Sequence, residues 1–206
     1  MALHPLWQSF HRPSLEEMDR AAVSGKRQLT SEITVVAPDP LWPEQYECLA
    51  STIRQVLGRR VMTLEHVGST SVPDLYAKPV IDVSLTVADP ADEPSYIPDL
   101  TNEGFNLVIR EPDWQEHRCL VRSAPRCNLH VFPPGSVEPK RQRAFRDWLR
   151  SHPDDRDAYA SLKRELATRG FASVMEYNNA KAGLIYDIYE RIFAADPGFA
   201  HTPQPR

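Results

Sequence analysis

Glu65-His66-Val67-Gly68-Ser69-Thr70-Ser71-Val72-Pro73, followed by Lys78-Pro79-Val80-Ile81-Asp82-Val83-Ser84, is the stretch on which the reading of this chain turns. Residues 61–67 read as a strand that runs into a turn of small residues. Residues 79–87 read as a second strand with alternating sides: Ile81, Val83, Leu85 and Val87 face a core, while Asp82, Ser84 and Thr86 share the polar side. A Gly-Ser turn offers backbone N–H groups and a hydroxyl to an anion. A strand carboxylate beside it can hold a divalent cation over the same anion. Phosphoryl and nucleotidyl chemistry needs those parts.

Upstream, residues 33–37 read as a short strand closed by Pro38-Asp39-Pro40. Trp42-Pro43 then opens a helix, because proline in the first turn gives up an N–H that has no intrahelical partner anyway. Tyr46, Leu49, Ala50, Ile53 and Leu57 recur at helical spacing, and Gly58 stops the run. Downstream, 97–103 is a short helix ended by Gly104, and 105–110, 118–123 and 127–132 are three further strands closed by Pro133-Pro134-Gly135. Residues 139–150, 153–168 and 174–193 carry helical patterns. Strands first and helices later predict an α+β fold: a mixed or antiparallel β-sheet backed by helices, with a helical C-terminal third. The expected organisation is an N-terminal arm (1–29), one domain (30–195) and a frayed C-terminal tail (196–206).

A formal net charge of −4 argues against a nucleic-acid binder working through a broadly basic face. Cys48, Cys119 and Cys127 are odd in number and lack zinc-type spacing, which points away from a disulfide scaffold. No apolar run approaches the roughly 20 residues needed to span a bilayer, and the N-terminus has no signal-peptide core. The expectation is a soluble, cytoplasmic protein with no membrane partner.

Taken in order, His66-Val67-Gly68-Ser69-Thr70-Ser71-Val72-Pro73, Ala77-Lys78-Pro79-Val80-Ile81-Asp82, Leu129-His130-Val131, Phe145-Arg146-Asp147-Trp148-Leu149-Arg150 and His152-Pro153 carry a resemblance. Tyr159, Leu162-Lys163, Tyr177 and Lys181 extend it. The sequence resembles, over residues 34–193, the GrpB family of the nucleotidyltransferase superfamily, whose fold is polymerase-beta-like. The resemblance implies Mg²⁺-dependent transfer of a nucleotidyl group from a nucleoside triphosphate to a small acceptor whose identity stays open. Gly68, Ser69 and Thr70 would hold phosphates, Lys78 and Lys181 would offset their charge, and Asp82 would hold the metal and act in catalysis. His130, on the strand face of Asn128 and Phe132, would complete the site, orient Asp82 or take the acceptor's proton.

Departures from the family pattern define the alternative. The superfamily expects a second acid two positions after the first, and Ser84 stands there; Glu65 and Glu111 are the candidate replacements. Asp74 stands where glycine is usual and Asn128 where a histidine commonly precedes Leu-His-Val. With the second acid missing, the rival expectation is a module that kept the scaffold and binds a nucleotide or other anion, or assists folding, as the GrpB-like domains fused to a coenzyme A biosynthetic kinase imply. A third class is an interaction protein working through residues 1–29. His66 is expected to be a strand residue with a structural hydrogen bond, and Arg146, Asp147 and Arg150 to knit helices together.

Overall fold

The computed structural model describes every residue except 1, 10, 12, 26–32, 172, 205 and 206. Five strands form one mixed sheet in the order β1-β2-β5-β4-β3: β1 (Thr63–Val67), β2 (Ile81–Thr86), β3 (Asn106–Glu111), β4 (His117–Ser123) and β5 (Arg126–Phe132). Only the central β2–β5 pair is parallel; the other neighbours run antiparallel. The chain can make that parallel pair because β3 and β4 intervene as a hairpin, giving the long crossover that parallel strands require.

Alternation in β2 buries Ile81, Val83 and Leu85 against α2 (Trp42–Leu57) and α3 (Ile97–Asn102), together with Leu129 and Val131 of β5. The apolar stripe of α2 supplies Leu49, Ala50, Ile53 and Leu57 to that layer. Helix α2 starts with Pro43 in its first turn and ends at Gly58, where φ is 54°. The opposite face of the sheet carries Asp82, Ser84 and Thr86, level with Asn128, His130 and Phe132 of β5. Three helices, α4 (Val137–Ser151), α5 (Pro153–Ala167) and α6 (Val174–Ala195), form a second cluster around Val72 and Leu75, built from Leu149, Tyr159 and Ile188. One layer of helices thus backs the apolar face, and the C-terminal helices gather beside the turn that follows β1.

The α+β architecture and the helical C-terminal third are as the sequence implies. Two local expectations change, those for residues 33–37 and for the tail. Residues 33–37 form no strand among the described residues: Val36 makes a single antiparallel bridge with Ala77, and Pro38, which has no N–H, ends the pairing. The arm contains α1 (Leu15–Ala21), closed by a capping box in which Ser14 and Glu17 exchange bonds with each other's backbone. The tail is not frayed over its described part. His201 has a fully buried side chain, bonds Glu190 at 2.7 Å and accepts the His4 backbone N–H, while His4 bonds Asp196 at 3.0 Å and stacks on Phe193. The two chain ends clasp each other over α6.

Candidate functional site

The turn after β1 is held in one shape by its neighbours. Gly68 has φ 70° and ψ −174°, a conformation open to glycine and strained for other residues. Thr70 points inward: its hydroxyl donates to the Val80 carbonyl at 3.1 Å and bonds His66 Nε2 at 3.0 Å. His66 is itself stacked on Tyr46. Burial, with Arg150 and Arg146 nearby, pushes the His66 imidazole down to about 4, so it is neutral at physiological pH. From α4, Arg150 donates twice to the Ser71 carbonyl and Arg146 donates to the His66 carbonyl at 2.9 Å. These arginines knit α4 to the turn.

With the turn fixed, Ser69 and Asp82 come to the same place. Gly68 lies directly against the Asp82 side chain, so closely that a Cβ there would be 2.3 Å from Oδ2. Asn128, paired with Asp82 across the parallel ladder, donates to its Oδ1 at 2.8 Å. From α5, Lys163 Nζ donates to Ser69 Oγ at 3.0 Å, and Tyr159 lies close to the same serine. Lys181 of α6 and Lys78, just before β2, complete the group; both act on the charge of Asp82, as Lys163 does.

Three lysines therefore surround one carboxylate. Lys163 is 2 % exposed and Lys181 9 %. Burial, aided by the like charge of Lys181, brings Lys163 down to about 6. Burial and Lys78 bring Lys181 down to about 7, and in both cases Asp82 pulls the other way. Lys78 is lowered mainly by burial. The Asp82 carboxyl is raised by burial, against the Asn128 bond and the three ammonium groups. Each helix lysine lies over the ring four residues earlier, Lys163 over Tyr159 at 4.4 Å and Lys181 over Tyr177 at 4.3 Å. The aromatic faces help keep these amines in place.

Gly68, Ser69, Lys78, Asp82 and Lys181 thus meet in one place. Two candidates do not join them. The Thr70 hydroxyl is used up inside the turn, because the chain must bend sharply between β1 and β2 and this bond fixes the bend. His130 shares the face of Asp82 but bonds His117 Nε2 at 3.0 Å, and His117 in turn bonds Glu111. Burial and His117 bring His130 down to about 3. It belongs to a chain of groups running toward the β3 edge of the sheet. Lys163, part of the family resemblance, joins Lys78 and Lys181 as a third cation, and Tyr159 and Asn128 are the contributors missed as site residues. For Tyr159 the signal was present: Tyr-x-x-x-Lys occurs at 159–163 and again at 177–181, on two successive helices.

Neither replacement acid reaches Asp82. Glu65 pairs with Arg146 at 3.2 Å and Arg143 at 3.4 Å, and Glu111 sits on β3, three strands from β2. Among the described residues no group of three or more His, Cys, Asp or Glu side chains could hold a metal. A lone carboxylate ringed by ammonium groups does not fit a magnesium site, which needs several oxygen ligands.

The profile described as GrpB protein matches residues 32–191, most of the chain. The chain belongs to the GrpB family. A UPF0157 protein of Halalkalibacterium halodurans is 46 % identical over 176 residues, covering 85 % of this chain and 90 % of that protein. The crystal structure of conserved protein GrpB from Enterococcus faecalis superposes with a TM-score of 0.67 at 27 % identity, covering 77 % of this chain and 98 % of the other. A Mycolicibacterium paratuberculosis protein named dephospho-CoA kinase is 26 % identical over 195 residues; the match takes in 82 % of this chain and 48 % of that protein. This GrpB protein has, among its described residues, no helix long and apolar enough to cross a membrane.

Proposed function

We propose that this GrpB protein binds a phosphorylated small molecule of the nucleotide class, its phosphate received by Lys78, Lys163, Lys181 and the Ser69 hydroxyl. The observation that carries this reading is the gathering of three lysines, two of them buried, around one carboxylate. A phosphate entering it favours the protonated forms of these lysines and supplies acceptors for their N–H groups. Asp82 offsets part of the lysines' charge in the ligand-free protein. The name carried by the paratuberculosis relative, a kinase of a coenzyme A precursor, is in keeping with a phosphate-bearing ligand.

Nucleotidyl transfer assisted by Mg²⁺ is the more demanding form of the same reading. It needs carboxylates that bridge a metal to phosphate oxygens, and Ser84, Glu65 and Glu111 do not supply the second one. Binding without transfer is the form the geometry favours. A thermal-shift series with inorganic phosphate, pyrophosphate and ATP in EDTA tests it, since a ligand of the folded state alone raises stability with the logarithm of its concentration over Kd. Stabilisation by at least one of these, lost in Lys181→Met, is expected. Absence of any shift in the wild type defeats the reading.

A further inference from the structure

Ser69 faces two ways. On one side its hydroxyl meets Lys163; on the other it lines, with Gly68, a cavity of about 280 Å³ walled by Phe145, Leu149, Ile185 and Tyr189 and by the polar side chains of Glu138, Arg141, Gln142 and Arg146. The cavity is as small as ligand pockets usually come, and its wall is part apolar and part charged. A hydroxyl at the edge of such a cavity, with an amine 3.0 Å behind it, has the parts of a serine–lysine nucleophile, one of the recurring variants of nucleophile and base.

From this geometry we infer that Ser69 is a nucleophile, with Lys163 as its general base, for acyl transfer from an ester whose short acyl group enters the 280 Å³ cavity. The turn presents the hydroxyl because Gly68 is in a glycine-only conformation and Arg150 ties down the Ser71 carbonyl on its far side. The lysine lies over the Tyr159 ring while bonded to the Ser69 hydroxyl, so nucleophile, base and orienting ring are held together. Burial that keeps the amine uncharged near neutral pH supports the assignment, because an ammonium has no lone pair to accept a proton.

In the acylation step the Ser69 oxygen forms a bond to the acyl carbon, its proton passes to Lys163 Nζ, and the ester C–O bond breaks. The leaving alcohol takes that proton from Lys163. Water then attacks the acyl-serine, again giving its proton to Lys163, and Ser69 recovers it as the carboxylic acid leaves. This activity goes beyond anion binding and is read out separately: a chain that binds phosphate but leaves Ser69 unreactive keeps the first reading and loses this one.

The test treats the full chain with a serine-reactive fluorophosphonate and locates the adduct by tandem mass spectrometry, using Ser151 as an exposed reference serine. The expected result is an adduct on Ser69 that forms much faster than on Ser151 and about 100-fold more slowly, or slower still, in Lys163→Met, the usual worth of a general base. Should Lys163→Met fail to fold, the wild-type pH profile decides. The charged and titratable groups facing Lys163 are Asp82 from β2, Lys181 from α6 and Tyr159 on its own helix. The Ser69 rate, taken relative to Ser151, should climb as pH rises through about 6, where Lys163 loses its proton. No adduct on Ser69, a rate no greater than that of Ser151, an unchanged rate in folded Lys163→Met, or a flat relative profile between about pH 5 and about pH 8 would overturn the inference.

Discussion

The Gly68 Cα packs against the carboxylate of Asp82 so tightly that a methyl group there would lie 2.3 Å from Oδ2 and 2.8 Å from Cβ of the aspartate. The Asp82 Cβ cannot swing away, because it is anchored to a strand paired on both sides. Gly68→Ala therefore combines a steric clash with a strained backbone at φ 70°. The expected outcome is a loss of about 2 kcal/mol or more in urea-unfolding free energy, together with loss of phosphate binding.

Asp82→Asn separates the two forms of the functional reading. The variant keeps the shape of the side chain but removes the charge that faces Lys78, Lys163 and Lys181. Stability should fall by about 2 kcal/mol, less than the cost of an orphaned fixed charge, because the lysines can shed protons. Phosphate affinity, measured by calorimetry, should be kept or strengthened as an anion meets less repulsion. A metal-bridged site would instead lose its ligand altogether.

Much of this was legible in the sequence because period and punctuation are local. The β3, β4 and β5 runs, the Trp42-Pro43 start and Gly58 stop of α2, and the polar side of β2 that carries Asp82 all follow from neighbours within a few residues. The Ser69–Lys163 bond joins residues 94 apart in sequence, and no local pattern dictates such a partner. Thr70 and His130 were misplaced for a related reason. Strand alternation gives the side of the sheet but not the direction in which a hydroxyl or ring finds its bond, and here Val80 and His117 offered nearer partners than a ligand. The clasp of His4 and His201 was hidden because proline-broken, polar ends look loose when read alone.

Acid should destabilise the protein before its carboxylates are exhausted. His66 titrates near 4 when folded and near 6.5 as a free side chain, so between those values the unfolded state binds more protons, and stability falls as pH drops from about 6.5 to about 4. His130, at about 3, adds a loss of the same sign. Lys163, at about 6 against 10.5, extends the slope upward, so stability rises as pH climbs from about 6. Asp82, raised, acts in the opposite direction at low pH. Chemical denaturation at a series of pH values should show this rise, and His66→Gln should flatten its lower part by a few kcal/mol.

The clasp between the chain ends should matter for stability and not for the lysine cluster. His201→Ala removes the bond to Glu190 and the acceptor of the His4 N–H, and opens space beside Phe193. A loss of about 1–3 kcal/mol is expected from unfolding curves. Phosphate affinity should stay at the wild-type value.

Lys163 and Lys181, at about 6 and 7, are partly unprotonated near neutrality, and a bound phosphate favours their charged forms. Binding must then draw protons from the buffer. Isothermal titration of orthophosphate or ATP into the protein in EDTA, near pH 7.5 and in two buffers of different ionisation enthalpy, reads this directly. The lysine-cluster account requires binding without metal and apparent enthalpies that differ between buffers in the sense of proton uptake, both lost in Lys181→Met. No binding in EDTA, binding restored only by Mg²⁺, or the same enthalpy in both buffers would contradict it.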